Sequence, residues 1–203
     1  MDPLILQKLQ QALKSLITNK VLNLDENEDA MELSFIAPNS DFVSELGSAP
    51  TLNCYLIGVS EDLNRRRSES HRSTINVQKT LRTVYREPRF VDLNYMLTVW
   101  CKDKKGSAEI EHLVLGYLLC GLGVYDFMPD EIIDEFKIDT QPYGIGFKLF
   151  GNEHSEKISG QIWQALGSTP KPCLMLSVSV PVGIHAPVQV PLVQEIKRVL
   201  EKK

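Results

Sequence analysis

One stretch of twelve residues, from Phe90 to Cys101, alternates side chains so regularly that it constrains the fold more than any other segment. One row contains Val91, Leu93, Tyr95, Leu97, Val99 and Cys101, and the other contains Asp92, Asn94 and Thr98. A period of two predicts a β-strand. At about 3.3 Å per residue the strand would extend roughly 40 Å, the breadth of a domain of this size. We therefore expect it to form the centre of a sheet.

The segments around this strand predict further strands and several helices. Pro3 and leucines at positions 6, 9, 13 and 16 predict an N-terminal amphipathic helix of about four turns. Strands are predicted around 33–35 and over 51–59, 145–149 and 173–182, and helices after Ser107, after Pro129 and over 158–166. The helix after Ser107 is apolar almost all round, which predicts a buried position. The last strand is predicted to bury one face and to expose the serines of the other.

This order of elements predicts an α+β fold, in which a mostly antiparallel, mixed sheet packs helices against one face. With 203 residues, of which 43% are hydrophobic, the chain is long enough for one substantial core. We predict a single domain over residues 1–182 and a C-terminal extension over 183–203.

A basic segment lies between Asn64 and Arg89. It holds eight cations against two glutamates, a local charge of +6 in a chain whose net charge is −4. The cations are Arg65, Arg66, Arg67, Arg72, Lys79, Arg82, Arg86 and Arg89. Its serines and threonines predict a flexible tip between strand-forming ends. We interpret residues 60–89 as a projecting arm that binds an acidic partner.

The C-terminal extension has a second candidate contact. Pro181, Pro187 and Pro191 favour an extended chain. From Leu192 to Lys203 an amphipathic helix is predicted, whose apolar side contains Leu192, Ile196, Val199 and Leu200. A helix of about 12 residues is marginal in water, so it needs a surface on which to dock.

Metal and cofactor sites are not predicted. Asp25, Asn27 and Asp29 resemble the start of a calcium loop, but Ala30 stands at the glycine position and Ile36 at the bidentate glutamate position. The four histidines are remote from one another and lie at no metal-ligand spacing. The four cysteines lie in apolar segments and are interpreted as small buried hydrophobic residues in a reducing compartment.

Catalytic residues are not predicted either, and we do not expect an enzyme. The glycine pair in Tyr143–Phe147 lacks the third glycine and the following helix of a dinucleotide-binding loop. The sequence has no Walker loop and no nucleophile elbow. No apolar run reaches the roughly 18 residues that would span a bilayer, and the start lacks a secretory signal, so membrane insertion is not expected.

Three interpretations of the basic segment remain open. A nucleic acid is one alternative, because eight cations could neutralise several phosphates. Against it, the segment has Tyr85 as its only aromatic residue, carries no known motif and is attached to an acidic body. An acidic protein surface, including that of a second copy of this chain, agrees better with these facts. The third alternative is a solvated loop without a partner.

Several stretches together resemble a known family. They are Phe35-Ile36-Ala37-Pro38, Pro50 to Leu56, Glu61 to Arg65, Leu93 to Trp100, Glu111 to Gly116, and Trp163 to Gly167 followed by Lys171 to Leu174 and Val180-Pro181. In this order they resemble the N-terminal domain of the cap, or tail-terminator, proteins of phage-tail-like contractile injection systems. The resemblance covers about residues 1–182.

The resemblance implies a structural role. Members of this family are expected to form a sixfold homomeric ring that ends the inner tube and anchors the last sheath layer. The arm and the C-terminal extension would then contact neighbouring subunits and the tube and sheath proteins. Assembly would take place in the cytoplasm before the protein joins a particle, and whether that particle is released or attached to a membrane stays open.

Overall fold

The computed structural model describes residues 2–23, 31–65, 71–76, 80–102, 106–140, 143–150, 161–167, 170–183 and 185–192, with the backbone alone at 71, 72, 85 and 86. The strands are β1 (Glu32–Ser34), β2 (Thr51–Glu61), β3 (His71–Ile75), β4 (Leu81–Arg86), β5 (Arg89–Trp100), β6 (Gly146–Leu149), β7 (Cys173–Val182) and β8 (Val188–Pro191). The helices are α1 (Ile5–Ser15), α2 (Ser40–Ser44), α3 (Ser107–Leu122), α4 (Asp130–Glu135) and α5 (161–166). A π-helical turn, Leu16–Val21, continues α1.

Five strands form the main sheet, in the order β1-β2-β5-β7-β6. The β1–β2 pair is parallel and the other pairs are antiparallel, so the predicted mixed, mostly antiparallel α+β fold is confirmed. β5 lies at the centre, as predicted from its alternation, and its boundaries differ from the prediction by one residue at each end. Its length lets it pair with β2 on one side and β7 on the other over nearly its whole extent.

Helices cover both faces of this sheet, which corrects the prediction that they cover one. On the first face the main core joins the leucine row of α1 to α3, α4 and the apolar row of β5. On the second face Phe42 of α2 and Trp163 of α5 pack with Met96, Trp100 and Met175. Trp100 is 6% exposed and makes an edge-to-face contact with Phe42 at 5.5 Å between ring centroids. Trp100 is therefore part of the core on the second face.

The polar row of β7 is also buried, contrary to the prediction. Ser177 and Ser179 are 0% and 1% exposed. The hydroxyl of Ser177 donates a hydrogen bond to Asn94, and that of Ser179 donates to Asp62. Hydrogen-bonded serines tolerate burial because their polar atoms keep partners. Both faces of β7 are thus buried. Its alternation distinguishes an apolar buried face from a polar buried face, not a buried face from a solvent-exposed one.

Helix α3 contradicts the prediction that it is buried. Its inward side contributes Leu118 and Leu122 to the main core. Its opposite side is apolar and exposed, with Ile110, Leu113 and Tyr117 at 40%, 58% and 58% exposure. Cys120 is exposed on the same side, so the prediction of burial is wrong for this cysteine too. An apolar face of this kind on a folded chain indicates a surface that another molecule covers.

Two glycines of α3 give a matched pair for testing the packing of this helix. A Cβ on Gly116 would meet no atom within 4 Å, whereas a Cβ on Gly121 would lie 2.6 Å from Cγ1 of Val21. We expect Gly116→Ala to raise the free energy of unfolding by about 0.8 kcal/mol, because alanine loses less backbone entropy in a helix. Gly121→Ala is expected to lower it by about 1 kcal/mol through overpacking. Urea unfolding measures both, and equal effects would contradict this packing.

Candidate partner-binding site

The basic segment and the C-terminal extension form one three-stranded sheet. β4 lies in the middle, paired antiparallel with β3 on one side and with β8 on the other. We call these three strands the arm sheet. The sequence predicted an arm and a separate extended tail. It did not predict that the tail pairs with the arm, nor that part of the supposed flexible tip is the strand β3.

Asn76 closes the hairpin between β3 and β4. Its side-chain Oδ1 accepts hydrogen bonds from the backbone N–H groups of Thr80 and Leu81, at 2.8 and 3.0 Å. Its Nδ2 donates to the Thr80 hydroxyl at 2.8 Å. Asparagine suits such a position because its short amide satisfies backbone groups that a turn leaves unpaired. The hairpin end of the arm sheet is thus locally ordered around one side chain.

One face of the arm sheet is apolar and exposed. Residues that pair across antiparallel strands share a face, and the pairs Ile75–Arg82, Arg82–Val190 and Val84–Val188 place five residues together. Ile75, Val188 and Val190 are 57%, 53% and 43% exposed, and Arg82 is exposed beside them. We call these five residues the arm face. Its β-branched side chains, with Arg82 as the one cation among these five residues, are suited to contact with a protein surface.

The structure places only some of the predicted cations. Arg82 and Arg89 have exposed side chains, and the backbones of Arg72 and Arg86 lie in β3 and β4. Arg66, Arg67 and Lys79 lie outside the described residues, as do Ile196 and Val199 of the predicted tail helix. Leu192 follows β8, and its backbone N–H donates to the Thr80 carbonyl at 2.9 Å. The partner-binding role of these residues stays a prediction.

Arg65 departs from the prediction because its guanidinium turns into its own chain. It donates hydrogen bonds to the carbonyl oxygens of Tyr143 at 2.8 Å and Ser179 at 3.2 Å. It also lies 4.0 Å from the centroid of the Phe90 ring, a cation–π contact. Partial burial lowers the pKa of Arg65, while Asp62 and Asp92 oppose that shift. Its guanidinium is therefore bound within its own chain, whereas its charge predicted an exposed side chain.

Asp62, three residues before Arg65 in the sequence, is buried and fixes the chain where the arm leaves the body. Its Oδ1 accepts hydrogen bonds from the backbone N–H groups of Asn64 and Arg65, at 3.0 and 3.3 Å. Its Oδ2 accepts from the Ser179 hydroxyl at 2.7 Å and from Lys148 Nζ at 3.0 Å. Burial raises the pKa of Asp62, but these hydrogen bonds outweigh it, so the pKa lies below its ordinary value.

We call Asp62, Arg65, Lys148 and Ser179 the exit clamp. Asp92, 2% exposed, lies 3.9 Å from Lys148 and adds a second carboxylate to it. Sequence reasoning did not single out Asp62, Lys148 or Ser179. A usable signal was Asp62-Leu63-Asn64, since an aspartate that accepts from the N–H two residues later makes an Asx turn. The ion pairs are internal and hold the arm in place.

A family model described as the Pvc16 N-terminal domain matches residues 8–195. A cryo-EM structure of the sheath/tube terminator of PVC, an extracellular contractile injection system, in its extended state, shares the fold with a TM-score of 0.62 and 18% identity. The tube-terminating cap of the anti-feeding prophage shares it with a TM-score of 0.59 and 18% identity. The tail-terminator-like fold predicted from the sequence is therefore confirmed.

The lengths of these proteins differ from that of the chain. The PVC match covers 100% of this chain and 65% of the other, and the anti-feeding prophage match covers 95% and 60%. The chain thus spans less than two thirds of either protein. No curated protein matches the sequence. Among the described residues, none of the helices is both long and apolar enough to span a bilayer.

Proposed function

Since the chain belongs to the Pvc16 N-terminal domain family, we propose that it is the cap of a contractile injection system particle. In this role six copies form a ring that ends the inner tube and anchors the last sheath layer. The two similar structures, one a sheath/tube terminator and the other a tube-terminating cap, support the proposal. It is a structural function that needs no catalytic residue.

The observation that carries the proposal is the division between a well-packed body and an exposed arm sheet. The body buries two hydrophobic clusters on opposite sides of one sheet. The arm sheet instead leaves Ile75, Val188 and Val190 about half exposed. A small sheet with an exposed apolar face is poorly stable by itself, so a partner surface would stabilise it.

Charge supports contacts between copies of the chain. Outside the basic segment the sequence holds 14 Lys and Arg against 24 Asp and Glu, a net charge of −10. A head-to-tail contact can place the basic arm of one copy against the acidic body of the next and repeat around an axis until the ring closes. The exposed apolar side of α3 offers a further surface that such a ring, or the tube below it, would cover.

Two arm-face substitutions test the contact role of the arm. We expect the double variant Ile75→Asp, Val190→Asp to reduce incorporation into particles at least tenfold, since each places a charge in a contact that must be desolvated. Quantitative mass spectrometry of particles purified after co-expression with the tube and sheath proteins measures incorporation. Val43→Asp, at a 41% exposed position on α2, is the matched control and should incorporate normally. Equal incorporation of both variants would contradict the contact.

The cap function itself is tested by particle geometry. With the chain present, electron microscopy should show it at one end of particles of uniform length, as a sixfold ring. Without it, the tube length distribution should broaden and the sheath should detach at that end. Uniform particles without the chain would overturn the proposal. Salt-sensitive retention of the purified protein on an oligonucleotide column would instead support the nucleic-acid alternative.

A further inference from the structure

A mostly apolar cleft of about 530 Å³ lies between the start of α1 and the end of β7. Ile5, Leu6, Pro181 and Val182 line it, and Asp2 and Asp139 stand at its edge. Leu6 is 45% exposed although it belongs to the otherwise well-packed α1. The cleft therefore offers an apolar floor with negative charge beside it.

The chain contains a segment of complementary chemistry. Residues 193–203 hold four cations and two glutamates, and Ile196, Val199 and Leu200 recur at helical spacing. An apolar cleft with acidic edges would bind a segment of this kind, which has apolar side chains on one side and lysines and an arginine around them. Asp139 is exposed and can face such a cation, whereas Asp2 already pairs with Lys8 at 2.7 Å.

The direction of β8 favours a neighbouring copy as the source of this segment. The cleft lies at Val182, which pairs with Arg89, three residues after the end of β4. β8 runs antiparallel to β4, from Val188 opposite Val84 to Pro191 opposite Leu81. The chain at Leu192 has therefore moved along β4 away from the cleft, by about 17 Å for the length of that strand. An eleven-residue helix spans only about 16 Å, and it would have to turn back to reach its own cleft.

We propose that residues 193–203 of one copy dock into the Leu6–Val182 cleft of a neighbouring copy. The apolar side chains of the segment fill the cleft, and its cations face Asp139. This inference rests on the proposed function, because a ring supplies a neighbouring copy at a fixed position. The inference identifies the Leu6–Val182 cleft as the binding site for this segment on the neighbouring body. The arm sheet then positions the segment of one subunit at the cleft of the next.

Disulfide trapping between two variants tests the docking. Both variants are made in a Cys120→Ser background, which removes the exposed native thiol. One variant carries Leu6→Cys, and the other carries Ile196→Cys and a tag of different length, so that a mixed pair is recognised by its size. Mixing and mild oxidation should yield a disulfide-linked pair of mixed size. The control replaces Leu6→Cys by Val43→Cys, of similar exposure at 41%, and should give at least tenfold less product. Adding Val199→Asp to the chain that carries Ile196→Cys should lower the yield of the mixed pair at least fivefold.

The outcomes separate this inference from the proposed function. A further variant carries Leu6→Cys and Ile196→Cys in the same chain. If this variant forms the bond within single chains while the mixed sample gives no pairs, docking between copies is overturned. An equal yield with Val43→Cys would do the same. Light scattering of the reduced samples tests the ring separately. If oligomers form there although oxidation yields no mixed disulfide pair, the ring proposal stands and only the docking is overturned. If neither oligomers nor mixed pairs form, both proposals fail.

Discussion

Replacement of Trp100 by alanine is expected to lower the free energy of unfolding by about 4 kcal/mol, the range found for large aromatic residues removed from cores. The side chain is 6% exposed and lies between Phe42 and Trp163, with ring centroids at 5.5 and 6.2 Å. Its Nε1 donates to the Thr98 hydroxyl at 2.8 Å. Alanine would leave a cavity that short helices such as α2 can fill only in part.

Urea unfolding followed by circular dichroism measures this loss. Trp100→Phe keeps most of the ring contacts and loses the hydrogen bond to Thr98, so we expect a smaller loss of about 1.5 kcal/mol. Val124→Ala, at a position that is 77% exposed, should change the stability by less than about 0.5 kcal/mol. If Trp100→Ala changed the stability as little as Val124→Ala, the cluster of Phe42, Trp100 and Trp163 would not be a core in solution.

The central strand was predictable because its signal is local. Residues 89–100 bury an apolar row on one face and Met96 and Trp100 on the other, so period-two alternation and length identify β5 without knowledge of its neighbours. The pairing of β8 with β4 was not predictable in the same way. Val188-Gln189-Val190 alternates, but three residues do not specify a partner about one hundred residues away, and the flanking prolines favoured an unpaired chain.

Helix α3 shows a limit of pattern reasoning. Apolar residues all round a helix predict that every side is covered, but the pattern is the same whether the cover is the chain itself or another molecule. In the folded chain only the side with Leu118 and Leu122 packs into the core. Leu113 and Tyr117 lie on the exposed side, each at 58% exposure. His112, near the start of the helix, is exposed as well.

Charge counting failed at Arg65 for a related reason. A run of arginines indicates a solvated surface, yet one guanidinium can be buried when carbonyl oxygens and an aromatic ring satisfy it.

The two stretches that hold Glu111 and Lys171 contributed to the family resemblance as separate motifs. In the structure they meet: Lys171 pairs with Glu111, donates to the Val99 carbonyl at 3.1 Å and lies 4.6 Å from the Trp100 ring centroid.

The exit clamp gives the second large expected effect. We expect Asp62→Ala to lower the free energy of unfolding by about 3 kcal/mol, because it removes the acceptor of four hydrogen bonds and leaves Lys148 without its closest carboxylate. Asp134→Ala, on the exposed side of α4, is the control and should cost less than about 0.5 kcal/mol. Urea unfolding measures both, and similar values would contradict the role of the clamp.

The pH dependence of stability tests the charge of Asp62 separately from its shape. The pKa of Asp62 lies below the ordinary value of 3.8, because hydrogen bonds from Ser179 and Lys148 outweigh the effect of burial. Its contribution is therefore fully present above that ordinary pKa and is lost as the pH falls through the lower folded-state pKa. The difference in unfolding free energy between the wild type and Asp62→Asn should stay constant from pH 7 to pH 5 and shrink below about pH 4. Urea unfolding at pH 7, 5, 4 and 3 measures it, with Asp134→Asn as control. A difference that persists undiminished to pH 3 would show that Asp62 acts through shape and hydrogen bonding alone.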